Sequence, residues 1–322
     1  MKALIFEHTG LPQDVLQLRE VPVPTPKAHE VLIRVTARNI NPADIMFIRG
    51  MYGIAPKLPS SAGFEACGVV EQGDEAGKVK SGSRVMFAAT GTWKEYLTLP
   101  AALVIPVPDA MSDEAACQAF VNPMTAFAML EKSDLKAGEW LLITAGASAF
   151  GKFVIQMAKA KGIKVAATVR HDSQKGVLHN LGADLVVNTV SDKLLQVVPE
   201  ETDGGVHVVF DAVGGVLGAK ALSCLRPKGT MMVFGALALE NMPINSGLLI
   251  FKNLSIEGFW LSSWIAEISE DERTRAFQTV FNFLMNDKSR IDIEGRFGLE
   301  EFGAALEAYS KPGRNGKILF VS

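Results

Sequence analysis

Between residues 140 and 234, strand-sized apolar runs alternate with helical patterns, and no other feature of the chain constrains its fold as strongly. Strands are expected at 140–144, 164–169, 184–187, 206–210 and 229–234, with helices at 150–161, 172–181, 191–198 and 214–225 between them. In the first of these helices Phe153, Val154, Met157 and Ala158 recur at helical spacing. The strands are apolar along their length and not at alternate positions, the pattern of strands covered on both faces. Repeated βαβ units of this kind imply the α/β class and a doubly wound parallel sheet.

The flanks have a different rhythm. Residues 2–6, 31–35 and 68–70 are strand candidates in a β-rich first hundred residues. The proline-rich stretch 21–26 cannot be a central strand, because proline has no N–H for the ladder. Residues 42–59 read as a long exposed loop with one helical turn, and loops that long are usually functional. Helical periodicity covers 114–132, an amphipathic helix is expected over 269–286, and a closing strand over 316–321 can rejoin the first domain. The expected organisation is therefore a nucleotide-binding domain at 119–257, inserted into a β-rich domain made of 1–118 and 258–322.

Composition narrows the partners. The 322 residues are 48% hydrophobic and 21% charged, as in an ordinary soluble globular protein. A net charge of −3 without a long basic run argues against nucleic acid. The longest apolar stretches fall short of the roughly 18–20 residues of a membrane span, and the N-terminus reads as a strand instead of a signal peptide. Cys67, Cys117 and Cys224 form no Cys-x-x-Cys pair, so they are read as buried free thiols of a cytoplasmic protein. His8, His29, His171, His179 and His207 show no metal-ligand spacing.

The chemistry starts at Ala145-Gly146-Ala147-Ser148-Ala149-Phe150-Gly151, between a strand and a helix. The spacing is that of G-x-G-x-x-G with serine at the second glycine. In a βαβ array this is the Rossmann pyrophosphate turn, where a helix N-terminus offers free N–H groups. Gly146 is expected to allow the turn, Gly151 to let helix and sheet approach, and Ser148 to donate to phosphate. Arg170 ends the second strand of the array, where an acid would hold the ribose of NAD; an arginine suits the 2′-phosphate of NADPH. Asp172 lies close enough to keep NADH in play, and Lys175 is a second cation. A hydrolase reading of Ser148 fails the G-x-S-x-G spacing, and no histidine follows His207. A non-catalytic NADPH-binding protein stays open.

Three stretches carry a family resemblance: Asn41-Pro42-Ala43-Asp44 with Ile48-Arg49-Gly50-Met51-Tyr52-Gly53, then Val121-Asn122-Pro123-Met124-Thr125-Ala126, then Gly258-Phe259-Trp260-Leu261-Ser262-Ser263-Trp264. Through them the chain resembles the zinc-free, quinone oxidoreductase-like medium-chain dehydrogenases/reductases, and most closely their 2-enoyl thioester reductases. The resemblance implies a Rossmann sheet inserted into a GroES-like catalytic domain, NADPH as cofactor, and a homodimer. It implies Tyr52 and Asn41 as catalytic residues. It implies cofactor contacts from Asn122, Thr125, Gly146, Ser148, Ala149, Phe150, Gly151, Arg170, Phe234, Gly235, Ala236, Leu237, Phe259, Trp260, Leu261 and Lys317. Zinc members carry cysteine where Asn41 stands and histidine where Phe64 stands, so no metal is expected. Phe127 departs from the tyrosine that enoyl reductases often have. Without a Lewis acid the expected reaction is conjugate reduction of a 2-enoyl thioester or related enone, with quinone reduction as the alternative. A phenol is neutral at pH 7 and can supply the proton for the α-carbon.

Overall fold

The computed structural model describes residues 1–285 and 292–322. The chain divides into two compact units, Met1–Val121 with Arg290–Ser322, and Asn122–Ser289.

In the second unit, six strands form one sheet in the order Leu185–Asn188, Lys164–Val169, Trp140–Ile143, Val206–Asp211, Leu225–Val233, Ser255–Gly258. Every neighbouring pair is parallel. The winding direction reverses between Trp140–Ile143 and Val206–Asp211, which opens a crevice at their carboxyl ends, the usual ligand position in such sheets. Leu142, Val187, Val209 and Met231 are fully buried in a single core cluster. Each contributes about 1.5–3 kcal/mol by leaving water. Rossmann topology was legible because these strands are apolar on both faces.

Several boundaries differ from the sequence reading. The helix expected over 172–181 opens as a 3-10 turn at Asp172–Gln174 and continues as Lys175–Leu181. It closes on Gly182 at φ 111°, in the left-handed conformation that glycine permits at a helix end. The strand expected at 229 starts at Leu225. The return to the first unit, expected at 258, comes later. Helices Leu261–Glu267 and Glu270–Leu284 belong to the second unit. In Glu270–Leu284 a capping box links Ser269 and Glu272, and Ala276, Val280 and Leu284 make the buried stripe. Residue 286, the expected end of this helix, lies outside the described residues.

Among its described residues the first unit has two sheets. One runs Gln17–Glu20, Lys2–Phe6, Ser60–Ser61. The other runs Ile293–Phe297, Lys317–Val321, Glu30–Asn39, Glu65–Gln72, Arg84–Ala88, Ile105–Pro106, with Tyr96–Pro100 also paired to the long strand Glu30–Asn39. Strand Lys317–Val321 does rejoin this unit, antiparallel to Glu30–Asn39. The stretch 21–26 is outside every strand, as its prolines require.

Two helix expectations are corrected here. Residues 42–48 form a seven-residue helix, Pro42–Ile48, and not one turn. Pro42 is at its start, where the missing N–H costs nothing, and the Asp44 carboxylate accepts the Asn41 N–H at 2.6 Å. The helical pattern over 114–132 is two helices, Asp113–Ala116 and Val121–Ser133. A continuous helix would set the Pro123 ring against the carbonyl of Ala119, so the chain breaks and restarts.

Candidate functional site

In the second unit, most of the sequence-predicted cofactor residues gather at the carboxyl ends of the parallel strands. The turn after Trp140–Ile143 is built differently from the expectation. Its left-handed residue is Ala145, at φ 52°, and Gly146 is not in that region. Gly146 is needed for space: a Cβ there would lie 2.7 Å from the Ala167 Cβ. Its N–H donates to Thr168 O at 2.8 Å, tying the turn to the next strand. Gly151 is equally constrained, because its Cβ would lie 2.4 Å from Gly146 O. That contact is between the helix and its own turn, closer than the helix–sheet packing inferred from spacing.

Ser148 is the N-cap of helix Ala149–Ala160 and accepts the Gly151 N–H at 3.1 Å. Its hydroxyl proton stays available to a phosphate oxygen. The Ala149 and Phe150 amides fall in the first turn, before any intrahelical partner exists. The Phe150 ring is buried against Phe234, with centroids 4.1 Å apart, so Phe150 meets a ligand through its amide only. A small, concave turn with donors at a twelve-residue helix start fits a pyrophosphate.

The neighbouring strand ends complete the wall. Arg170 follows Lys164–Val169 and is exposed. Asp172 accepts from Asn188 Nδ2 at 3.1 Å and pairs with Lys175 at 3.1 Å, and Lys175 also pairs with Asp192 at 3.0 Å. The hydrogen bond from Asn188, with Lys175, holds the Asp172 carboxyl below its ordinary range. Asp172 and Lys175 are thus engaged with protein partners, and Arg170 is the exposed cation that follows the strand. Phe234, Gly235, Ala236 and Leu237 follow Leu225–Val233. Leu237 donates to Ala212 O at 3.1 Å, and a Cβ on Gly235 would lie 2.6 Å from that oxygen. Past the edge strand, Phe259 is buried, Trp260 is 40% exposed and Leu261 opens a helix. Asn122 and Thr125 lie on the first turns of Val121–Ser133, with Thr125 buried. Phe127, on the same helix, is buried edge-on against Trp264.

In the first unit, Tyr52 lies four residues beyond helix Pro42–Ile48. Its ring packs on Phe64, with centroids 5.1 Å apart, and Phe64 packs edge-on against buried Phe47. Met51, Ile54 and Leu58 of the same loop are 46%, 42% and 46% exposed, so apolar side chains flank the tyrosine along the chain.

Asn41 and Lys317 come together, deep in this unit. The Lys317 ammonium donates to Ile40 O at 3.2 Å and to Asn41 Oδ1. Asn41 Nδ2 donates to Asn39 Oδ1 at 3.0 Å and to Glu65 Oε1 at 2.8 Å. Both N–H groups and the oxygen of this carboxamide are therefore engaged. Burial pushes the Lys317 ammonium down to about 8 and the Asp44 carboxyl up to about 7. Asn39, Asp44 and Glu65 are the residues sequence reasoning missed here. All three are at most 1% exposed, and the burial of a polar side chain is not read from sequence spacing. Among the described residues no group of three His, Cys, Asp or Glu side chains could hold a metal ion. The three cysteines are free and buried.

Comparison with known proteins matches residues 27–109 to the alcohol dehydrogenase GroES-like domain and 149–281 to the zinc-binding dehydrogenase family. The chain is 32% identical to the mitochondrial enoyl-acyl-carrier-protein reductase of Mus musculus, over 97% of this chain and 86% of that protein. It is 30% identical to the Arabidopsis thaliana enzyme of the same description, over 98% and 87%. Among solved structures, the Escherichia coli quinone oxidoreductase complexed with NADPH superposes with a TM-score of 0.91 at 28% identity, covering all of both chains.

Proposed function

The chain belongs to the zinc-free branch of the medium-chain dehydrogenase/reductase superfamily, and from that premise we propose that it reduces the activated C=C of 2-enoyl thioesters or related α,β-unsaturated carbonyls. It is an NADPH-dependent oxidoreductase. Ser148, the Ala149 and Phe150 amides and Arg170 would hold the cofactor, which when bound supplies a hydride. Reduction at the β-carbon leaves negative charge on the acceptor's carbonyl oxygen, and the Tyr52 hydroxyl delivers the proton to the α-carbon.

The observation that carries this reading is Tyr52 itself. It is a phenol held on Phe64, which stands where zinc relatives place a metal-binding histidine, and its loop carries exposed apolar side chains. Exposed apolar side chains on such a loop suit an acyl chain. The test is NADPH oxidation at 340 nm against trans-2-enoyl-CoA of several lengths, and in parallel against ortho- and para-quinones. Efficient turnover of the thioesters is the expected result. Turnover of quinones alone would replace this reading with quinone reduction, which the likeness to the E. coli structure favours.

We also propose a homodimer. Helix Ser246–Lys252 exposes Ile250 at 69% and Phe251 at 88%, beside the edge strand Ser255–Gly258. A second copy would cover these side chains and pair the open edge. Light scattering on a sizing column is expected to give twice the chain mass, and Phe251→Glu half of that. A monomeric wild type would sink the idea. The three buried free thiols suit a reducing compartment, and we propose the cytoplasm as that compartment.

A further inference from the structure

Asp211 belongs to no motif that pointed to function, yet it is fully buried at the carboxyl end of strand Val206–Asp211, beside the crevice of the parallel sheet. Its Oδ1 accepts the Thr144 hydroxyl at 2.6 Å and the Val213 N–H at 3.1 Å, and its Oδ2 accepts the Gly214 N–H at 2.9 Å. The direction at Thr144 is fixed. Thr144 Oγ1 itself accepts the Ala212 N–H at 2.9 Å, so its proton goes to Asp211. Helix Gly215–Ser223 lies close against the carboxylate: a Cβ on Gly218 would fall 2.7 Å from Oδ2.

These bonds shape the segment 212–215, which turns at Gly214 and Gly215 with φ of 71° and 55°. That segment holds the next one in turn. Leu237 donates its N–H to Ala212 O at 3.1 Å, Ala238 to Val213 O at 2.9 Å, and Phe234 to Asp211 O at 3.0 Å. A single buried carboxylate therefore orders the backbone beyond two neighbouring strands, Val206–Asp211 and Leu225–Val233. The strand order says which part of the cofactor meets that backbone. The turn at 145–151 follows Trp140–Ile143, and Arg170 follows the strand on one side of it; 212–215 and 234–238 follow strands on the other side. A dinucleotide binds across such a sheet where the strand order reverses. With the pyrophosphate at the turn and the 2′-phosphate at Arg170, the nicotinamide half falls toward 212–215 and 234–238. We propose that Asp211 is a positioning residue for that half of NADPH: it holds 212–215, and through it 234–238, in the shape that receives the nicotinamide and its ribose. This role rests on the reading that the turn and Arg170 take the rest of the cofactor, and it is independent of which acceptor is physiological. Buried as it is, Asp211 acts through these backbones.

Asparagine at 211 keeps the shape but offers one oxygen where two now accept, so its own N–H groups face a donor. The test uses the full chain and two ligands, NADPH and adenosine 2′,5′-bisphosphate, which carries the 2′-phosphate and one 5′-phosphate but no nicotinamide half. Isothermal titration gives both dissociation constants. For Asp211→Asn the NADPH Kd is expected to rise about tenfold to a hundredfold. A buried donor without an acceptor disfavours the held backbone, and apparent affinity falls with the fraction of molecules that keep it. The Kd for adenosine 2′,5′-bisphosphate is expected to stay at the wild-type value. Thr144→Val is the second variant. It keeps the side-chain shape and removes the hydroxyl that links Asp211 to the Ala212 N–H. A smaller rise for NADPH, again without one for the bisphosphate, is expected, and this variant decides if Asp211→Asn does not fold. An unchanged NADPH Kd in the folded variants would overturn the proposal, whatever their melting temperatures. Equal losses for both ligands would overturn it too, because a residue that only stabilises the fold weakens every ligand alike. A wild type that binds both ligands but reduces no acceptor would refute the reductase reading alone, since the two affinities still report on the loops.

Discussion

Tyr52→Phe lowers kcat about 10²–10⁴-fold toward enoyl thioesters and quinones alike if its hydroxyl is the proton donor, because that is what a positioned general acid contributes. The substitution deletes one oxygen and keeps the ring, so the packing on Phe64 and through it on Phe47 survives. NADPH affinity and melting temperature are therefore expected to match the wild type, and the loss should fall on kcat without a matching change in Kd. Steady-state rates with both acceptor classes, beside NADPH fluorescence titration, make the measurement. Near-wild-type turnover would take the proton-donor role away from Tyr52 and leave the residue as a packing element against Phe64.

Gly151→Ala acts on the turn at 145–151 and should be nearly as severe. The added Cβ would lie 2.4 Å from Gly146 O and 2.8 Å from its Cα, and both neighbours are backbone, so neither can rotate aside. Gly146 cannot retreat, because it is itself pressed against the Ala167 side chain and bonded to Thr168 O. Overpacking of this kind costs about 1–3 kcal/mol in stability. The same shift moves the Gly151 N–H away from Ser148 and spoils the helix start offered to the pyrophosphate. An NADPH Kd raised about a hundredfold is expected, corresponding to roughly 2.7 kcal/mol. Isothermal titration with NADPH measures it, and an unchanged Kd would mean that the turn at 145–151 does not carry the pyrophosphate.

The second unit was legible in the sequence for a specific reason. Its strands are covered on both faces and its phosphate turn is a contiguous run, so periodicity and spacing carry the information locally. The reasons behind individual glycines were not legible. Spacing assigned the turn to Gly146, whereas the left-handed residue is Ala145 and Gly146 answers to a side chain on the next strand. Helix breaks were misread where apolar periodicity ran across Pro123, because periodicity is blind to the clash that proline makes one turn back. The Glu65 network was invisible for a further reason. Asn39 ends one strand and Asn41 follows it, while Glu65 and Lys317 open two others, and nothing in their spacing along the chain links the four.

The order of strands in the first unit bears on how the chain is made. Lys317–Val321 is not at the margin of its sheet: it is flanked by Ile293–Phe297 on one side and by Glu30–Asn39 on the other. Every strand of the second unit, by contrast, has been translated once the ribosome passes Gly258. Pairings so distant in sequence form late, because the loop must close before the contact stabilises anything. The nucleotide-binding unit can therefore mature during translation, while the long strand Glu30–Asn39 waits through most of synthesis with part of one side unpaired. That interval of biogenesis is when the polypeptide is most exposed to misassembly, and when a chaperone has the most to protect.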